Sequence, residues 1–126
     1  MKPLYLPLLA LAIVLAFSLW AGNYVEQRTL VWREMLSAAD DTAQLEQWDE
    51  AQQQLEQAYA NWDSSQTFFH TIMEHNELDE AESLFATVFA ACDARDAPDF
   101  HAAVAQLDSQ LRLLAETQAV SVKNIL

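Results

Sequence analysis

The chain has 126 residues, with 19 Asp plus Glu against 6 Lys plus Arg for a net charge of −13, 52% apolar residues, one Gly, three Pro and one Cys. That length bounds it to one small domain, and so little Gly and Pro argues against a sheet on tight turns, a glycine-rich phosphate loop or a collagen-like chain. With no basic stripe to neutralise phosphates, nucleic acid is not an expected partner.

The charge is unevenly placed. All 19 acids follow residue 25, whereas Leu4 to Gly22 is an uncharged run of 19 residues. As a helix this run is about 28 Å long, close to the hydrocarbon thickness of a bilayer. It predicts an N-terminal anchor over residues 1–23, with a transmembrane helix meeting the lipid bilayer through residues 4–22. Tyr5 at one end and Trp20 and Tyr24 at the other stand where interfacial aromatics belong. Two other readings compete. A cleaved signal peptide would use Ala16-Phe17-Ser18 behind a weak basic region of Lys2 alone, and a buried core helix would need a polar face that this run lacks. Lys2 favours an amino terminus inside, while Arg28 and Arg33 follow the run on the other side. The strongly acidic remainder tips the expectation to a single-pass cell-membrane protein whose C-terminal domain is extracytoplasmic.

Residues 24–126 read as an acidic bundle with helices over about 24–43, 48–75, 77–95 and 97–118, followed by an apolar C-terminal tail. The expected fold is all-α: a transmembrane helix, then an antiparallel bundle of about four helices. In the first helix Val25, Thr29, Trp32, Leu36, Ala39 and Ala43 recur at spacings of four and three, a face that runs out of the membrane as a stalk. A break is expected between Asp40 and Gln47. In the second, Trp48, Leu55, Trp62 and Phe69 are seven apart, with Ala51, Ala58, Ser65 and Ile72 on the companion positions. Indole rings at that spacing suit a multi-helix core better than a narrow dimer seam. Asp63-Ser64-Ser65 invites a break, but Phe69, Ile72 and Met73 continue the stripe, so the helix is expected to stay whole.

The third helix is expected to start at a capping Asn76, with Asp79 reaching back as an approximate capping box, and to bury Leu78, Ala81, Phe85, Val88 and Cys92. The fourth is expected to be capped by Asp96 with Pro98 in its first turn, and to bury Phe100, Val104, Leu107, Leu111 and Leu114. Beyond it Val120, Val122, Ile125 and Leu126 surround Lys123 and Asn124. That tail is expected to fold back with Asn124 pinning a helix corner, the alternative being a docking tag captured in a partner's groove.

The run from Phe69 to Glu80, with Trp48-Asp49-Glu50-Ala51 and Trp62 upstream and Ser121-Val122-Lys123-Asn124-Ile125-Leu126 at the end, resembles one family. Its members are small single-pass proteins of Gram-positive, often spore-forming bacteria, catalogued only as a domain of unknown function. The most specific pieces are His75-Asn76-Glu77 and Ser121 to Ile125; Leu78 and Leu126 stand where an isoleucine and an aromatic are usual. The resemblance covers nearly the whole chain, anchor included, and implies shape and placement rather than chemistry.

No catalytic, cofactor-binding or metal-binding residues emerge, and neither enzymatic activity nor a cofactor is expected. His70 and Glu74 share a helix face and His75, Glu77 and Asp79 lie at the following turn, but His70 and His75, five apart, would diverge on one helix. No Glu-x-x-His pair of the di-iron type is present. His75, Asn76, Glu77 and Asn124 are the candidate contact or helix-corner residues. Cys92 reads as a buried small hydrophobe, with an intermolecular bridge as the alternative. Trp32, Trp48 and Trp62 read as core, and His101 as surface. The expected role is an interaction protein, an accessory subunit beside a membrane-protein partner. A cation-sensing or self-associating bundle, and with it a homo-oligomer, is the alternative.

Overall fold

The computed structural model describes residues 2–125, and side chains from Leu4 to Val120. Five helices follow one another: α1 (Lys2–Gln44), α2 (Trp48–Ser64), α3 (Gln66–Ile72), α4 (His75–Asp93) and α5 (Ala97–Ile125), with no strand among the described residues. The fold is an all-α bundle. α1 packs on α2 and α5, and α4 closes the ring by packing on the same two. Up-and-down connections of this kind make neighbours antiparallel.

α1 is one rod with two characters. From Leu4 to Leu19 it is apolar and almost wholly exposed, with an 18-residue window of mean hydropathy 2.3 that is 6% buried. That is long and apolar enough to cross a membrane. From Ala21 onward the spacing of four and three takes over, and Val25, Trp32, Leu36, Ala39 and Ala43 are fully buried. This stretch is therefore a wall of the core, not the stalk that its position after the apolar run predicts, because α2 and α5 both pack along it.

Both turns at the far end of the bundle use the same device. Glu46 and Arg95 take left-handed backbone at φ 63° and 55°. Glu46 N–H donates to Ala43 O at 2.9 Å and Gln47 N–H to Thr42 O at 3.2 Å; Arg95 N–H donates to Cys92 O at 3.0 Å and Asp96 N–H to Ala91 O at 3.4 Å. Each is the paired 5→2 and 6→1 closure of a helix end, with a non-glycine residue where glycine is usual. Asp96 then caps α5, its carboxylate accepting from Asp99 N–H at 3.1 Å.

Three local expectations need correction. The helix drawn over 48–75 is broken twice, once at Ser65 and once at Met73–Glu74. Around Ser65 side chains compete for the backbone acceptors: the hydroxyls of Ser64 and Ser65 donate to Asn61 O, and Gln66 Nε2 donates to Trp62 O. The buried stripe nevertheless carries on to Phe69, since the backbone at Ser65 stays near the helical region and the chain keeps its direction. Met73 and Glu74 are extended and form the corner. α4 thus starts at His75, with Glu74 at the cap position and no side-chain capping bond, so Asn76 lies inside the first turn. Lastly, α5 runs straight to Ile125 where a folded-back tail was expected. No Gly or Pro follows Pro98 to interrupt its ladder.

The core is aromatic at every level. Trp48 meets Phe100 edge-on at 5.8 Å near the far turns, Trp62 lies against Phe85 at 5.6 Å in the middle, and Trp32 meets Trp62 at 5.1 Å and Phe69 at 5.3 Å nearer the apolar helix. Cys92 is buried among these residues, and burial pushes its thiol above the ordinary value.

Candidate functional site

The end of the bundle from which the apolar helix projects differs in chemistry from the rest. Trp20 stacks on Tyr24 with centroids 5.5 Å apart, and Phe68 of α3 presents its ring to both, at 5.6 Å and 4.8 Å. Phe17, one turn further out, reaches Trp20 at 6.0 Å. Trp20 remains 53% exposed, so this cluster is a surface feature and not part of the core. Phe68 lies on α3, between the break at Ser65 and the corner at Met73–Glu74.

The sequence-predicted residues separate here. His75 and Asn76 are exposed in the first turn of α4, directly after the corner. Glu77 is half-buried and fastens α4 to α5: Gln110 Nε2 donates to its backbone oxygen at 3.0 Å and to its carboxylate at 3.1 Å. Asn124 belongs to the last turn of α5, and its side chain lies outside the described residues. His70 and His75, expected to diverge, instead meet with Nδ1 atoms 2.9 Å apart. The divergence holds for one continuous helix, and the extended pair between them folds α4 back toward α3. Two imidazoles are half of a tetrahedral ligand set, and among the described residues no group of three metal-ligating side chains completes one.

Between α1 and α5 a groove of about 550 Å³ opens at the same level, lined by Leu19, Gly22, Glu26, Arg33, Arg112 and Ala119 among others. Two of its lining residues are held by Asp108, whose carboxylate accepts from Arg33 Nε at 2.7 Å and Arg112 Nη2 at 3.1 Å. Further from the apolar helix, Asp40 accepts His101 Nδ1 at 2.6 Å. Sequence periodicity does not reveal these α1–α5 pairs, because polar residues 61 and 75 positions apart carry no mutual signal until the helices are packed.

Inside the bundle the indole donors of Trp32 and Trp62 are satisfied by polar side chains. Asn61 Oδ1 accepts Trp32 Nε1 at 2.8 Å and also Arg28, whose guanidinium lies 5.8 Å over the Trp32 ring. Glu82 accepts Trp62 Nε1 at 2.8 Å and the Tyr59 hydroxyl. That hydroxyl bond to a carboxylate, with burial and the charge of Glu82 adding to it, pushes Tyr59 up to about 12. Such bonds orient large rings; no nucleophile is paired with a base in them.

Residues 19–125 match the family described as Domain of unknown function (DUF4363). The chain belongs to this family. No curated protein and no solved structure matches it. The DUF4363 match takes in Trp20, Tyr24 and Phe68, the corner and the whole packed part of α1. It begins at Leu19, so most of the apolar run, expected to share the resemblance, lies outside it.

Proposed function

We propose that the protein is a single-pass membrane protein whose acidic bundle stands on the extracytoplasmic face and works by contact with a membrane-protein partner, as an accessory subunit without catalysis. The observation that carries this reading is the continuity of α1. A largely exposed, uncharged and apolar stretch, Leu4 to Leu19, passes without a break into a helix that forms one wall of the core. An exposed apolar surface of that size is sustained in a lipid environment and not in water. A helix shared between span and core also fixes the bundle's orientation, as a subunit that must present one face sideways to a neighbour requires.

Crosslinking the full-length protein in native membranes tests this. A membrane protein recovered in fixed stoichiometry, and lost when Leu4 to Gly22 is deleted, is the expected result. Recovery of the chain alone, or release of the full-length protein by alkaline carbonate, overturns it. The acidic surface favours a second reading, a cation-responsive bundle. Thermal stability that does not change with millimolar calcium, magnesium or zinc removes that reading, because a ligand of the native state must raise it.

A further inference from the structure

Three stretches of chain far apart in sequence converge on the end of the bundle where α1 leaves it. The first is the α1 segment around Ala21. The second is α3 and its corner: Phe68 lies against Trp20 and Tyr24, two helical turns out from the level where Asn61 meets Trp32. The third is the end of α5. Its register against α1 is set by Gln44 with Ala97, Asp40 with His101 and Arg33 with Asp108, steps of four and then seven on both helices. Continued at that pace it reaches Ala119, which lines one groove with Leu19 and Gly22, and brings Val120 level with Ala21.

These three stretches are where the acidic character of the protein stops. Residues 4–25 hold no Asp or Glu, residues 65–76 hold only Glu74, and residues 117–125 hold none; the other 18 of the 19 acids lie elsewhere. Nothing in the sequence order demands that acid-poor segments coincide in space. The fold collects them at one end and adds Trp20, Tyr24 and Phe68, with Val120 left 56% exposed. Aromatic, half-wet and poor in carboxylates, with Glu74 at the corner and Glu26 and Glu116 in the adjoining groove, is the chemistry of a surface that meets lipid headgroups, where Trp and Tyr concentrate and where a strongly acidic face would be repelled by anionic lipid.

We propose that this acid-poor aromatic end is seated in the interfacial layer of the bilayer that α1 crosses, so that the bundle rests on the membrane instead of standing off it. The proposal rests on the membrane-anchor reading and adds an occupant for the exposed aromatic face: the lipid surface surrounding the protein's own span. α1 enforces the seating. Ala21 and Val25 are locked in the core while Leu19 belongs to the exposed apolar run, so no hinge lies between span and bundle to lift the end away. The opposite end, at Leu45, is about 35 Å further along α1 and points into water.

The test places an environment-sensitive fluorophore, one site at a time, on the full chain carrying Cys92→Ala, reconstituted in phosphatidylcholine vesicles with and without doxyl-labelled lipid. The sites are Leu11→Cys in the span, Thr71→Cys and Val120→Cys at the aromatic end, and Leu45→Cys at the far turn; all four side chains are exposed, so labelling leaves the core intact. The expected result is quenching by doxyl lipid at 11, 71 and 120 several-fold stronger than at 45. Quenching at 11 with 71 and 120 as water-accessible as 45 overturns the seating and leaves the anchor standing. Protection of 71 and 120 from iodide without lipid quenching means that protein, such as a second copy, covers them, and also overturns it. Absence of lipid quenching at 11 overturns the anchor and the seating together.

Discussion

The two halves of α1 share one backbone and one axis yet obey different rules. Leu4 to Leu19 is apolar on every side and touches little else, whereas Ala21 to Gln44 is apolar on one stripe and buries it completely. A helix that is apolar all round needs a solvent as apolar as itself, while a striped helix needs partners on the stripe and water on the rest. The boundary between them, Trp20 to Tyr24, is marked by aromatic rings and not by a break in the helix. The comparison shows that periodicity, more than mean hydropathy, decides what a helix packs against.

The sharpest way to break this comparison is one large-to-small change in each half. Trp32→Ala empties a fully buried site and removes one of the two donors to Asn61 Oδ1, and is expected to cost about 3–5 kcal/mol of bundle stability in denaturant unfolding. Leu11→Ala, on the same helix, is expected to leave that transition unmoved; an equal loss would mean that the apolar half packs on the bundle. The reciprocal change is a charge in the exposed half. Ile13→Arg should make membrane insertion about 2.5–3.5 kcal/mol less favourable, read as a shift from membrane to soluble fraction, while Ser37→Arg on the exposed face of the packed half should shift nothing.

Smaller effects belong to the turns that let the packed half find its partners. Asp96→Ala removes the cap that starts α5 and should lower stability by about 1 kcal/mol. Glu46→Gly should act in the opposite sense, stabilising by about 0.5–1 kcal/mol, because glycine takes the left-handed backbone at this position without the penalty that Glu46 bears. No gain in the melting temperature would show that the Glu46 side chain does something at the turn besides terminating α1.

The weakest lever is pH. Tyr59 holds its proton in the fold to about 12 against an ordinary 10.0, through its bond to Glu82 first and burial second. The folded state therefore binds that proton more tightly than the unfolded chain. The stability this contributes is complete below about pH 10 and is lost as pH rises toward 12. Glu82→Gln should return the phenol toward its ordinary value and flatten the alkaline slope, as ultraviolet titration of the phenolate would show.

Much of the fold is legible in the residues themselves. The heptad seam of Trp48, Leu55, Trp62 and Phe69 is buried throughout, and so are the stripes of α4 and α5, because a 3.6-residue period with so few polar intrusions has one way to hide from water. Asp96 announces its cap by type and position. The interruption at Ser65 was obscured because the apolar stripe runs across it, while the competition for carbonyls that causes it involves hydroxyls and an amide that periodicity ignores. The His70–His75 contact was hidden for a related reason: an angular argument along one helix fails once two extended residues intervene.

By itself, then, the order of residues determines the helical class, the apolar run and the faces that must be buried, since all three depend on spacing along one chain and on transfer of side chains out of water. Only the tertiary structure decides that the segment after the apolar run is a core wall, that Asp108 holds two arginines and Glu82 two aromatic donors, and that three acid-poor stretches meet at one end. These are relations between helices. They follow from the register in which antiparallel helices lock side chains together, a quantity that no single stretch of sequence contains.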